Sequence, residues 1–81
     1  MMLRFRGWLN EYLGKTSTVI DASNLTVREI LAILDKGDGE ILTAVQQKGL
    51  FISVNSKVVY DLSTRLSNND LVTLFPIGSG G

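Results

Sequence analysis

Thr26-Val-Arg-Glu-Ile-Leu-Ala-Ile-Leu34 is the stretch on which the fold turns. Thr26 and Glu29 fit a capping box, in which the threonine side chain accepts from first-turn backbone donors and the glutamate reaches back to the cap. Leu25 stands just before the cap, placed to staple against Ile30. Val27, Ile30, Leu31 and Leu34 recur at helical spacing and line one face. Gly37 supplies the stop. A single amphipathic helix must bury that face against something, and the flanking sequence offers strands on both sides.

Upstream, Met2 to Arg6 alternates, with Leu3 and Phe5 on one face and Arg4 and Arg6 on the other. Gly7 to Gly14 carries Trp8, Leu9, Tyr12 and Leu13 at helical spacing over about two turns and ends in a glycine. Trp8 and Tyr12 read as packing residues. Thr16 to Asp21 is a second strand, giving a long-looped hairpin with the first. Downstream, Ile41, Leu42 and Val45 mark a shorter helix between Asp38 and Gly49, also closed by its glycine. Leu50 to Val54 alternates again, Asn55-Ser56 is a two-residue turn, and Lys57 to Tyr60 is the partner strand. Ser67-Asn-Asn-Asp70 turns the chain into a last strand, Leu71 to Phe75. The order suits an α+β fold: a mixed sheet of about five strands, one main helix across one face, and short extra helices.

Composition narrows the function. Eighty-one residues, 44% of them apolar, make one domain that buries roughly 60–65% of its unfolded surface. The chain has no cysteine and no histidine, which removes the thiolate nucleophile, the usual general base and the commonest metal ligands. Eight acidic and eight basic residues cancel, so no strong field draws nucleic acid or an anionic membrane. Apolar runs are too short to span a bilayer. Met1 to Arg6 does not read as a signal peptide, so the cytoplasm is the expected compartment. An enzyme in its own right is not expected.

The chain closes on Ile77-Gly-Ser-Gly-Gly81. A diglycine end places a free carboxylate on a backbone with almost no side-chain bulk, able to thread a narrow channel. Taken alone, the same residues also describe a flexible linker.

Four stretches in this order resemble the small subunit of molybdopterin synthase and its sulfur-carrier relatives in the ubiquitin-like β-grasp superfamily. They are Leu3-Arg-Phe-Arg-Gly-Trp-Leu-Asn-Glu-Tyr-Leu-Gly14, Thr26-Val-Arg-Glu-Ile-Leu31, Ser53-Val-Asn-Ser-Lys57 and Asn69-Asp-Leu-Val-Thr-Leu-Phe-Pro-Ile-Gly-Ser-Gly-Gly81. Together they cover essentially the whole chain. The tail falls at that family's distance after Phe75-Pro76, which favours a native terminus. The resemblance implies a β-grasp domain over 1–76 and a flexible diglycine tail over 77–81. Arg4 and Arg6 depart from the family, which often has apolar residues there, and Ile77-Gly-Ser79 is a more flexible bridge than usual.

The resemblance also implies a chemistry. A ubiquitin-activator-like adenylating enzyme, which consumes the ATP, would convert the Gly81 carboxylate to an acyl-adenylate. A sulfur donor protein would then leave a thiocarboxylate on Gly81, with Gly80 giving clearance. The sulfur would serve molybdenum- or tungsten-cofactor synthesis in the larger catalytic subunit of molybdopterin synthase. No cofactor would be bound by the chain itself. The alternatives are a ubiquitin-like modifier joined to lysines through Gly81, or a carrier for tRNA thiolation or thiamin synthesis. A β-grasp module that only binds partners is the bland one. Alternation puts Val72 and Leu74 inward with Leu50, Ile52 and Val54. It leaves Leu71, Thr73 and Phe75 outward beside Phe51 and Ser53. The expected docking residues are Phe75, Phe51, Leu71, Thr73, Pro76 and Arg6, the two phenylalanines as exposed aromatics at the base of the tail.

Overall fold

The computed structural model describes residues 1–77. Gly80, Gly81 and most of the expected tail therefore lie outside the described residues. The elements run β1 (Met2–Phe5), α1 (Leu9–Leu13), β2 (Ser17–Val19), α2 (Val27–Leu34), α3 (Glu40–Gln46), β3 (Leu50–Val54), β4 (Lys57–Val59) and β5 (Leu71–Pro76). The strands form one sheet in the order β2-β1-β5-β3-β4. Only β1 and β5 pair in parallel, and the other neighbours are antiparallel. The first and last strands thus lie side by side at the centre, and the expected mixed sheet with one main helix is present.

One face of the sheet makes the core. Leu3, Phe5, Leu50, Ile52, Val72 and Leu74 are buried, and they join Leu9, Val27, Ile30, Leu31 and Ile41 from the helices. Each such side chain contributes about 1.5–3 kcal/mol on leaving water. The predicted stripe of α2 is the one that is buried.

The N-terminus of α2 answers its orphan amides completely. Thr26 Oγ1 accepts from Glu29 N at 3.2 Å, while Glu29 Oε1 accepts from Thr26 N at 3.0 Å. Val27 N donates to Thr64 O at 3.0 Å and Arg28 N to Leu62 O at 2.9 Å. The stretch between β4 and β5, irregular by sequence, therefore works as the acceptor strip for first-turn donors that otherwise have no partner.

Two predicted stops differ in their cause. The main helix ends at Asp35, whose backbone turns extended, with ψ at 144°. Its Oδ2 then accepts from Gly37 N at 2.9 Å and Gly39 N at 3.0 Å. A carboxylate that gathers two loop amides ends the helix before Gly37 is reached. After α3 the left-handed position falls on Lys48, with φ at 62°, and not on Gly49. Lys48 N donates to Val45 O and Gly49 N to Ala44 O, and these two bonds hold the lysine where a glycine was expected.

The β3–β4 turn is also a clamp. Asn55 and Ser56 have φ of 51° and 73°, the left-handed pair of a tight hairpin. Asn55 Oδ1 accepts from Leu71 N at 2.9 Å, Asn55 Nδ2 donates to Asp70 Oδ1 at 2.8 Å, and Asn55 N donates to Leu71 O at 2.8 Å. One side chain thereby fixes where β5 begins. Replacing Asn55 by Ala removes two side-chain bonds and strains a positive φ, with an expected loss of about 2 kcal/mol. A urea titration of the variant checks this, and an unchanged midpoint would show that the clamp is not needed.

Candidate functional site

The outer face of the sheet is laid out in rows by strand register. One row runs Ser17, Arg4, Thr73, Ser53, Val58 across all five strands. Towards the tail, Phe75 stands opposite Phe51, flanked by Arg6 from the end of β1 and Tyr60 from the end of β4. The far row is Val19, Met2 and Leu71. No Asp or Glu occupies any of these positions, so the face combines aromatic and aliphatic surface with two guanidiniums.

The aromatics are arranged rather than scattered. Phe51 and Phe75 stack with centroids 6.1 Å apart and planes at 26°, and Tyr60 meets Phe51 edge-on at 6.5 Å. Stacking leaves both phenylalanines half-buried, where the sequence suggested freely exposed rings. Tyr60 is 76% exposed and Val58 44%, so the apolar face continues towards the β4 edge. Leu71, Thr73 and Pro76 are half-buried, and Arg6 is exposed.

At the other side of the face Arg4 and Arg6 line an open cleft of about 360 Å³ with Asn10, Thr16 and Ser17. Asn10 Oδ1 is buried there without a hydrogen-bond partner among the described residues. Arg6 is held in place by its backbone, its N donating to Leu74 O at 3.0 Å. The site thus offers an aromatic platform beside exposed positive charge, which suits recognition of an apolar surface bordered by acids.

Pro76 ends β5 opposite Leu50. A Cβ placed on Gly7 would lie 2.5 Å from Pro76 Cγ. Gly7, with φ at +64°, is therefore part of the tail's base as well as the start of the segment that leads into α1. The only local hint was a glycine between a strand and a helix, which by itself says nothing about what lies across from it.

Opposite the tail, Asp70 accepts from Ser67 N at 2.8 Å and from Asn55, and these bonds hold its carboxyl below the usual carboxylate range. Asp21, Glu29, Asp38 and Asp61 are lowered likewise by local hydrogen bonds, chiefly from Ser23, Thr26, Glu40 and Ser63. Tyr12 moves up, first through desolvation and then through its bond to Asp38 at 2.9 Å. Depressed carboxyls bind fewer protons folded than unfolded, so their stabilisation is present above the unfolded values near pH 4 and is lost as pH falls through the folded values. A raised tyrosine adds a second loss as pH climbs past about 10. The thermal midpoint is accordingly expected to be level from about pH 5 to 7 and to fall below about pH 4. A midpoint that rises on acidification would contradict these bonds.

Among the described residues no group of three or more His, Cys, Asp or Glu could hold a metal ion, and no helix is long and apolar enough to cross a membrane.

Comparison with known proteins places this geometry. The model of the ThiS family matches residues 3–81. Among solved structures, SAMP1 from Haloferax volcanii is similar in fold, with a TM-score of 0.66 and 21% identity over 100% of this chain and 98% of that one. A chain of the complex of subunits 1 and 2 of molybdopterin-converting factor from Helicobacter pylori 26695 is 28% identical, with a TM-score of 0.64 and full coverage of both chains. By sequence alone, no curated protein matches the chain.

Proposed function

Since the chain belongs to the ThiS family, we propose that it is a sulfur carrier whose Gly81 bears a thiocarboxylate for molybdopterin synthesis. The observation that carries the pathway is the 28% identity to a chain of the molybdopterin-converting factor complex over the full length of both. That structure is a complex of subunits 1 and 2, and the aromatic and basic outer face described above is the surface on which this chain would meet its own larger subunit.

The chemistry asks little of the chain's side chains. A carboxylate is a poor acyl donor, so an adenylating enzyme first joins it to the α-phosphate of ATP and releases pyrophosphate. Hydrosulfide released by a donor protein then attacks the carbonyl carbon and gives up its proton to water. The carbon–sulfur bond forms as the carbon–oxygen bond to AMP breaks, and Gly81 is left as a thiocarboxylate. The chain is thus a handle for a sulfur nucleophile, a group carrier in the manner of a cofactor. Its own work is to dock, to present the terminus and to leave. Residues 77–81 reach at most ~17 Å when extended at ~3.3–3.6 Å each, enough to enter a partner's site from the base at Pro76.

Intact mass after incubation with ATP, an adenylating enzyme and a sulfur donor tests the reading. A gain of about 16 Da, oxygen exchanged for sulfur, is expected, followed by its loss when the larger subunit and a pterin precursor are added. Sulfur loaded but not accepted by the pterin route would redirect the pathway to thiamin or tRNA thiolation. A diglycine isopeptide on lysines, without sulfur loading, would make the chain a modifier instead.

A further inference from the structure

We infer that Gly7 is a positioning residue that aims the C-terminal tail, acting through Pro76. The inference rests on the carrier function proposed above and names a residue that serves it from outside the tail. β1 gives its last bond to β5 when Arg6 N donates to Leu74 O at 3.0 Å. Gly7 then turns the chain at φ +64°, and its carbonyl accepts from Asn10 N at 3.1 Å to open α1. Pro76 stands directly across this turn. A Cβ on Gly7 would lie 2.5 Å from Pro76 Cγ and 3.0 Å from Cδ, so the proline ring sits on a bare α-carbon.

Two constraints therefore act on one peptide. The ring fixes the φ of Pro76 near −65°, and its seat on Gly7 fixes where the ring itself lies. Leu50 holds Pro76 from the other side as the last rung with β3. Ile77 follows at once and is 65% exposed. The direction in which the chain leaves the sheet is thus set by a turn near the opposite terminus. Any side chain at position 7 would push the ring off that seat, because real Cβ atoms do not approach so closely.

Gly7→Ala has two effects that a second substitution separates. It strains a left-handed φ, and it displaces the proline ring. In a Pro76→Ala background the Cγ and Cδ atoms are gone, so only the φ strain remains. Steady-state ATP–pyrophosphate exchange on the adenylating enzyme is measured for the wild type, both single variants and the double variant, below their melting temperatures. Gly7→Ala is expected to lower kcat about tenfold or more with a smaller change in KM, because the stacked Phe51 and Phe75 of the docking face stay in place while the terminus is misdirected. Gly7→Ala/Pro76→Ala is expected to return to the level of Pro76→Ala. Folded Gly7→Ala with wild-type kcat would overturn the inference, as would a double variant that falls below Pro76→Ala by the same factor by which Gly7→Ala falls below the wild type.

If the wild-type chain supports no exchange, the carrier function fails and the aiming is read in the free protein. Residual dipolar couplings at Ile77 are then expected to change in Gly7→Ala and to agree between Pro76→Ala and the double variant. Unchanged couplings at Ile77 would overturn the aiming itself.

Discussion

Removing Gly81 is expected to abolish sulfur loading. The shortened chain still ends in a glycine carboxylate, so the loss is one of position and not of chemistry. Its terminus falls short by one residue, about 3.5 Å, of where an adenylating site holds ATP. Misplacement of about 1 Å can already cost on the order of a hundredfold in rate, so a full residue removes detectable turnover. The folded domain is untouched, because the described core ends at Leu74 and the sheet at Pro76. The expected result is no 16 Da gain, with an unchanged circular dichroism spectrum and melting temperature. Gly80→Trp is expected to behave in the same way while keeping the length, since bulk one residue from the end blocks a channel sized for glycine. Sulfur on the chain lacking Gly81 would mean that another group carries it.

Phe75→Ala is expected to have the largest effect of any change on the outer face. Phe75 lies at the middle of the row formed with Arg6, Phe51 and Tyr60 and next to the proline from which the tail departs. Central, half-buried aromatics are where binding energy concentrates, and truncating one costs roughly 2–4 kcal/mol. At about 3 kcal/mol the affinity for the adenylating enzyme or the larger subunit falls a little more than hundredfold. The fold should suffer much less, because the ring stacks on Phe51 outside the core and leaves Leu74 and Val72 buried beneath it. Val19→Ala is the control: it changes a residue 70% exposed on the edge strand at the far corner of the same face. Calorimetry with each partner separates the two variants. Equal affinities for Phe75→Ala and wild type would move the docking surface elsewhere.

Much of this could be read locally. The capping box at Thr26, the stripe of α2, the alternation in β1, β3 and β5, and the hairpin at Asn55 are all set by interactions within a few residues, so the sequence carries them directly. The helix stops at Asp35 and Lys48 were misread because each is decided by where loop amides find acceptors, which a glycine pattern does not reveal. The alternation also put Phe51 and Phe75 on the outer face correctly. It could not say that they stack on each other, since that depends on β3 and β5 being neighbours in matching register.

By itself, then, the sequence determined the elements, the inward and outward sides of each strand and the diglycine end, because period, caps and turns act over short distances. Only the tertiary structure decided that the first and last strands lie parallel at the centre of the sheet. From that pairing follow the aromatic row beside two arginines, the hold of Asn55 on the start of β5, and the seat of Pro76 on Gly7. Each joins residues far apart in the chain, and which distant groups meet is settled by the joint burial of one core.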